Sequence, residues 1–286
     1  MKHFIRTKKI NRSVTGNVFL FLFLAMCGLF MFLPFIYTIL GAFKPLDELF
    51  LYPPRFIPMR PTTDNFVSMA QMISNLWVPF SRYLFNTVMV TVIGTIFCVY
   101  MSSMAAYPLA KRNFRGKKLI YSAIVMSLLF TPEVTNTPRY IVMSKMDIID
   151  SYFAVLFPVF AGALGTFLMF CFMSPFPDEI IESASIDGAG QFRTFHSIVM
   201  PSMKPAWLTL VLFTFSTIWN NPAEDVLYSE NLKMLPTVFR SLSAGGIARA
   251  GVSSAVALFV LLPPMILFIS IQSSVIETMS QSGMKG

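Results

Sequence analysis

Four carboxylates, Asp178, Glu179, Glu182 and Asp187, stand close together in the polar stretch that runs from Pro177 to Pro201. The cation nearest to Glu182 within that stretch is Arg193, which lies beyond Gly188. Acids so poorly neutralised by their own segment suit a basic protein surface and would be repelled by anionic lipid. A second candidate is Glu133, between Pro132 and Val134 inside an apolar run. An ionisable residue at such depth is a functional candidate by default, although Arg139 offers it a partner across a helix break. Trp219-Asn220 closes another run. An indole face and an amide could receive the C–H surface and hydroxyls of a sugar ring, and an indole there could equally belong to an interfacial aromatic belt. Enzymatic chemistry has little to work with. The two histidines, His3 and His196, lie outside the apolar runs. Cys27, Cys98 and Cys171 lie inside them, at spacings that fit neither zinc nor a disulfide framework. Gly116-Lys117-Lys118 lacks the preceding glycine and the following hydroxyl of a nucleotide-binding P-loop, so the chain has no ATP-hydrolysing sequence of its own.

The elements that must hold these residues are set by composition. Of 286 residues, 55% are hydrophobic and 13% charged, with 30 Phe and 20 Met. A water-soluble domain would need a larger polar exterior, so the chain reads as an all-α membrane protein. Six apolar runs are expected as spans, over 16–43, 83–110, 119–143, 152–174, 206–219 and 251–272. The third is interrupted at Thr131-Pro132-Glu133 and Pro138, and the fifth is short. The first run continues past Leu24-Ala25-Met26-Cys27-Gly28, so it reads as an uncleaved span and not a signal peptide. The net charge of +8 is concentrated beside the runs. Lys2, Arg6, Lys8, Lys9 and Arg12 precede the first, and Lys111, Arg112, Arg115, Lys117 and Lys118 follow the second. Positive residues mark the cytoplasmic side, so both termini and the loop 175–205 are expected in the cytoplasm. The basic loops then need no nucleic acid. The chain divides into an N-terminal part, 1–82, with the first span and an outer segment, and a five-span core, 83–286.

The loop 175–205 reads as two short helices around a turn. Pro177 needs no donor at a helix start, and Asp178 and Glu179 favour its positive end. Ile181, Ala184, Gly188, Phe192 and Phe195 recur at steps of three or four and define one apolar face. Asp187 is expected to cap the second helix and Gly188 to allow a tight turn.

Glu182-Ser183-Ala184, then Gly188 after three residues, then Ile198-Val199-Met200-Pro201 after nine more, resembles the signature loop of ABC-importer permeases. That loop is written E-A-A, three residues, G, nine residues, I-x-L-P. Ser183 replaces the first alanine and Met200 the leucine. Ala105-Ala106-Tyr107, Phe114-Arg115-Gly116, Trp219-Asn220 and the terminal Ser282-Gly283-Met284-Lys285-Gly286 are also similar to carbohydrate permeases related to the second permease subunit of the maltose importer. Lys204-Pro205-Ala206-Trp207 and Gly245–Arg249 resemble permeases for complex, pectin-type oligosaccharides. The resemblance implies a type I ABC importer permease in the cell (inner) membrane. It implies a second homologous permease, two ATPase subunits and an extracytoplasmic solute-binding protein as partners. ATP and magnesium would then sit on the ATPases, with no cofactor in this chain. Glu182, Ser183, Ala184, Asp187, Gly188, Ile198 and Pro201 would couple to the ATPase, and Trp219, Asn220 and Glu133 would border the sugar path. The alternatives are an importer permease for a non-sugar solute such as glycerol phosphate and a membrane assembly protein without transport.

Overall fold

The computed structural model describes residues 14–53 and 55–282, and among those residues there are helices and turns but no strand. The basic cluster before residue 13 and the glycine-containing end after residue 282 lie outside them. Helix α1, Val14–Ala42, carries Phe and Leu on every side. None of its apolar window is buried within the chain, so its partners are lipid or another subunit. It leans on the last helix, α14, Ala250–Ser282.

Between α1 and the second long helix, a short helix α2, Leu46–Leu49, and α3, Asp64–Ser74, form a compact outer layer. Buried carboxylates and amides hold it. Glu48 accepts the backbone N–H groups of Met59 and Arg60, each at 2.9 Å. Asn65 donates to the carbonyls of Ala42 and Lys44 at 2.9 and 2.7 Å. Ala42 and Met69 share one core with Tyr83, Phe239 and Val256, so the parts before and after residue 82 are packed together.

Helix α4, Phe80–Lys111, is the central post. Its inward face carries Asn86, Thr87, Thr91, Thr95, Ser102 and Ser103, all buried. Apolar burial cannot drive association inside lipid, so close approach of small residues has to do so. Gly165 on α8, Ala163–Met173, shows how close that approach is, to α4 and to α12, Lys204–Trp219. A Cβ there would lie 2.5 Å from the Ser102 hydroxyl and 3.1 Å from Leu210, so a larger residue would push α4, α8 and α12 apart.

The expected third span is two helices. α5, Lys117–Ser127, and α6, Pro132–Lys145, meet at 111°. Thr131 is extended and Pro132 opens α6 at its first turn, where its missing N–H costs nothing. The fourth span is α7, Tyr152–Phe160, and α8, Ala163–Met173, with an interruption at 161–162. The elbow contains α9, Asp178–Ile186, then α10, Gln191–Thr194, a π-helical turn Phe195–Val199, and α11, Met200–Ser202. It meets α12, Lys204–Trp219, at 79°. At about 1.5 Å per residue α12 rises roughly 24 Å, short of a bilayer core of about 30 Å. Helix α13, Leu235–Ser243, and a 3-10 turn, Gly246–Arg249, precede α14. Among the described residues four helices are long and apolar enough to cross a membrane, and up to six spans result if each bent pair is one.

Candidate functional site

Pro177 stands before the first turn of α9 and Asp178 and Glu179 lie within it. Ala184 is buried and Ile181 packs against the core formed by Met169, Met173, Phe195 and Val199. Glu182, Ser183, Asp187 and Gly188 are exposed on the opposite side. The turn differs from expectation. Asp187 does not cap the second helix; it is the last half-helical residue of α9, and its carboxylate accepts no hydrogen bond among the described residues. The Ala189 N–H reaches the Ala184 carbonyl at 2.9 Å and the Gly188 N–H reaches Ser185 at 3.1 Å. This is a Schellman closure, and it requires a left-handed residue at Gly188, whose φ is +79°. Nothing lies within 4 Å of a Cβ built at Gly188, so backbone conformation alone asks for glycine. The second helix begins instead at Gly190.

The apolar face is also divided differently. Ile181, Ala184 and Phe195 turn inward, while Phe192 is 64% exposed beside Ile186 at 86%. Glu182 therefore shares its face of α9 with the bare side chain of Ile186, one turn later. His196 lies 4.2 Å from the Phe192 ring and within 3.2 Å of the Tyr100 hydroxyl, a contact residue without ligand geometry. Ile198 is half-buried. Pro201 is exposed in the first turn of α11, ahead of the bend at Met203.

Lys111 belongs to the basic loop expected to mark membrane topology, and in the structure it also makes specific contacts. Its side chain is only 4% exposed. Its ammonium lies 2.8 Å from the Asp178 carboxylate and donates to the Ser174 carbonyl at 3.0 Å and to the Phe176 carbonyl. The last residue of α4 thus grips the start of the elbow. A lysine also complements the negative C-terminal end of its own helix.

At the opposite end of the bundle, loops replace regular structure and α4 side chains tie them down. Asn86 donates to the carbonyls of Asn231 and Lys233 at 2.9 and 3.0 Å, and accepts from Tyr152 at 2.7 Å. Thr87 accepts the Leu235 N–H at 2.7 Å. Asp150 receives the N–H groups of Tyr228 and Ser229 at 2.9 and 2.8 Å, and the Ser229 hydroxyl. The Ser229 hydroxyl, more than the two amides, holds the Asp150 carboxyl below its usual range. Lys233, aided by Tyr83, does the same for Glu230.

The residues expected to border a path do not converge. Trp219 is 5% exposed, stacks on Phe215 with rings 5.7 Å apart, and donates its indole N–H to the Val260 carbonyl at 3.0 Å. It is a wedge between α12 and α14. Asn220 is exposed, donates to the Ser216 carbonyl at 2.7 Å, and lines a cavity of about 350 Å³ between α13 and α14. Glu133 lies exposed in the first turn of α6. Arg139 pairs with Asp225 at 3.1 Å instead of with Glu133. Among the described residues, no three His, Cys, Asp or Glu side chains cluster as a metal site would need.

Comparison with known proteins places this architecture. No family model matches the sequence. The chain is 31% identical over 275 residues to ABC transporter permease protein ORF2 of Caldicellulosiruptor sp. (strain Rt8B.4), covering 93% of this chain and 96% of that protein. It is 32% identical over 206 residues to the polygalacturonan/rhamnogalacturonan transport system permease protein YtcP of Bacillus subtilis (strain 168), covering 72% of this chain and 70% of the relative. The fold is similar to that of a bacterial ABC transporter involved in the import of the acidic polysaccharide alginate. There the TM-score is 0.73 at 19% identity, over 92% of this chain and 98% of that one. With its broken apolar spans and a 31%-identical relative matched over 96% of that relative's length, the chain belongs to the membrane-embedded permease subunits of ABC transporters.

Proposed function

We propose that this chain is one permease half of an ATP-driven importer in the cell membrane that carries an oligosaccharide delivered by an external solute-binding protein. The observation that carries the reading is the outer side of the elbow. Glu182 stands there exposed, with no ion-pair or hydrogen-bond partner for its side chain among the described residues, one turn before the bare Ile186 on the same helix. A carboxylate beside a bare apolar side chain suits a cleft that buries both, and an ATPase subunit would supply that cleft. Closure of two ATPase subunits would then push this elbow and its counterpart on a second, homologous permease. Differential contact in the two states drives the spans between inward-open and outward-open arrangements. ATP and magnesium belong to the ATPases, since this chain has no P-loop sequence. Ser183, Ala184, Asp187, Gly188, Ile198 and Pro201 shape and aim the elbow. The oligosaccharide cargo is supported by the polygalacturonan/rhamnogalacturonan relative and by the alginate importer fold.

Glu182→Ala tests this. Removing one partner of a docked charge pair leaves the other uncompensated, at a cost of about 3–5 kcal/mol, whereas a solvated glutamate contributes about 0–1 kcal/mol. The variant is expected to insert in the membrane at normal levels and to lose ATPase association or substrate-stimulated hydrolysis. Wild-type uptake together with wild-type ATPase binding would exclude a coupling role for Glu182.

A further inference from the structure

Three interrupted elements converge on one cleft. Helix α6 starts there after the 111° bend, α7 and α8 part at 161–162, and α12 ends in Asn220-Asn221. Helix interruptions at membrane depth persist only where protein or a water-filled cavity receives the freed backbone groups, and in transporters they mark binding sites. The cleft has two chambers. An outer one of about 490 Å³ is lined by Asn136, Thr137, Arg139, Tyr140, Asn221 and Asp225. An inner one of about 300 Å³, mostly apolar, reaches Cys98 and Gly165 and includes Thr217. Both volumes fall within the roughly 300–1,000 Å³ of small-molecule sites. Arg139, Asn221 and Asp225 line both chambers, so the ion pair sits at the junction.

We infer that the Arg139–Asp225 pair is a subsite for an uncharged saccharide unit, reading adjacent hydroxyls at the entrance to the inner chamber. This rests on the importer reading above. The pair is half-exposed, at 40% and 50% of the two side chains, and is joined by a single contact, Arg139 Nη2 to Asp225 Oδ2 at 3.1 Å. The other guanidinium N–H groups and Asp225 Oδ1 have no partner among the described residues. A diol can satisfy both sides at once, one oxygen accepting from Arg139 while a neighbouring O–H donates to Asp225. A carboxylate could use only the guanidinium and would meet the Asp225 charge beside it. The Asn221 side-chain oxygen already accepts the Ala223 N–H at 3.0 Å, which leaves its NH₂ to donate. The Tyr228 hydroxyl lies 2.9 Å from the Asp225 carbonyl and 3.2 Å from the Tyr140 hydroxyl, and so fixes the loop that carries Asp225. The compensated charge of the pair and the apolar chamber beneath it favour a ring with hydroxyls and a C–H face over an anion.

The test uses the full complex in proteoliposomes, with its solute-binding protein and radiolabelled oligosaccharides of two to four units, neutral or built of galacturonate. Arg139→Gln and Asp225→Asn are each expected to lower neutral saccharide moved per ATP hydrolysed by roughly tenfold, the effect of losing a charged hydrogen bond. ATP hydrolysis stimulated by the loaded binding protein should stay at the wild-type level, because docking and coupling are untouched. The exchanged pair Arg139→Asp/Asp225→Arg separates a subsite from a strut. It is expected to restore thermal stability and leave the yield per ATP low. Full recovery of yield in the exchanged pair, or unchanged yield in both single variants, would overturn the subsite. So would galacturonate transport that Arg139→Gln abolishes and Asp225→Asn improves, which would make the site a carboxylate receptor. A wild-type complex with ATP hydrolysis but no saccharide uptake of either kind would instead remove the carbohydrate reading and the subsite with it.

Discussion

Pro264 has no N–H, so the Val260 carbonyl one turn earlier in α14 lacks its helical donor, and the indole of Trp219 supplies one at 3.0 Å. The sequence shows Trp219 next to Asn220 at the end of an apolar run, which suits a path or an interface equally well. It does not show that an orphaned carbonyl on another helix faces that indole, because the pairing spans 41 residues. The two neighbours should therefore behave oppositely. Trp219→Phe keeps an aromatic ring and removes the donor, leaving a part-buried carbonyl unsatisfied at a cost of about 1 kcal/mol. The thermal midpoint of the purified complex should fall. Asn220→Ala, at an exposed site, should stay within about 0.5 kcal/mol of wild type. Equal midpoints for wild type and Trp219→Phe would remove the wedge role.

The elbow was largely legible as an element. Pro177, the acids after it and the Gly188 turn are local signals, and they fall where the helix starts and ends. The inward or outward choice for Phe192 was not legible, since the left-handed turn at Gly188 separates α9 from α10 and the stripe's phase does not carry across it. Lys111 gave no signal of its grip, because its acceptors lie 63 and 65 residues away. Lys111→Met keeps the stem and deletes the ammonium. Backbone amides of α9 should then exchange about tenfold faster with deuterium, reflecting the loss of a few charge-assisted hydrogen bonds. Uptake per ATP should fall, with basal ATP hydrolysis kept. Lys111→Arg should recover part of both. Unchanged exchange in Lys111→Met would mean that α9 holds its place through Ile181 and Ala184 alone.

Across the whole molecule, apolar runs revealed each span, and Thr131-Pro132-Glu133 revealed where the third is broken. The 111° angle was hidden, since it depends on what α5 and α6 pack against. The layer opposite the elbow was hidden as well. Its order comes from α4 side chains and Asp150 reaching loops far away in sequence, with little local structure. Asp150 makes that seam sensitive to acid. Its carboxyl titrates lower when folded than the roughly 3.9 of an unfolded chain. The stability it contributes is thus complete above the unfolded value and lost as pH falls through the folded one. The wild-type thermal midpoint should be level down to about pH 5 and decline below about pH 4. Asp150→Ala should start lower at neutral pH and decline less. Parallel curves for the two proteins would show that the seam does not depend on this carboxylate.

This chain is expected to convert closure of a partner ATPase into passage of a saccharide. Proteoliposomes that hold this chain, its companion permease and the ATPase, supplied with loaded solute-binding protein outside and ATP inside, test it most directly. The expected result is saccharide accumulation above the external concentration, dependent on ATP and lost when this chain is omitted. Saccharide that merely equilibrates at the same rate with and without ATP would contradict the account.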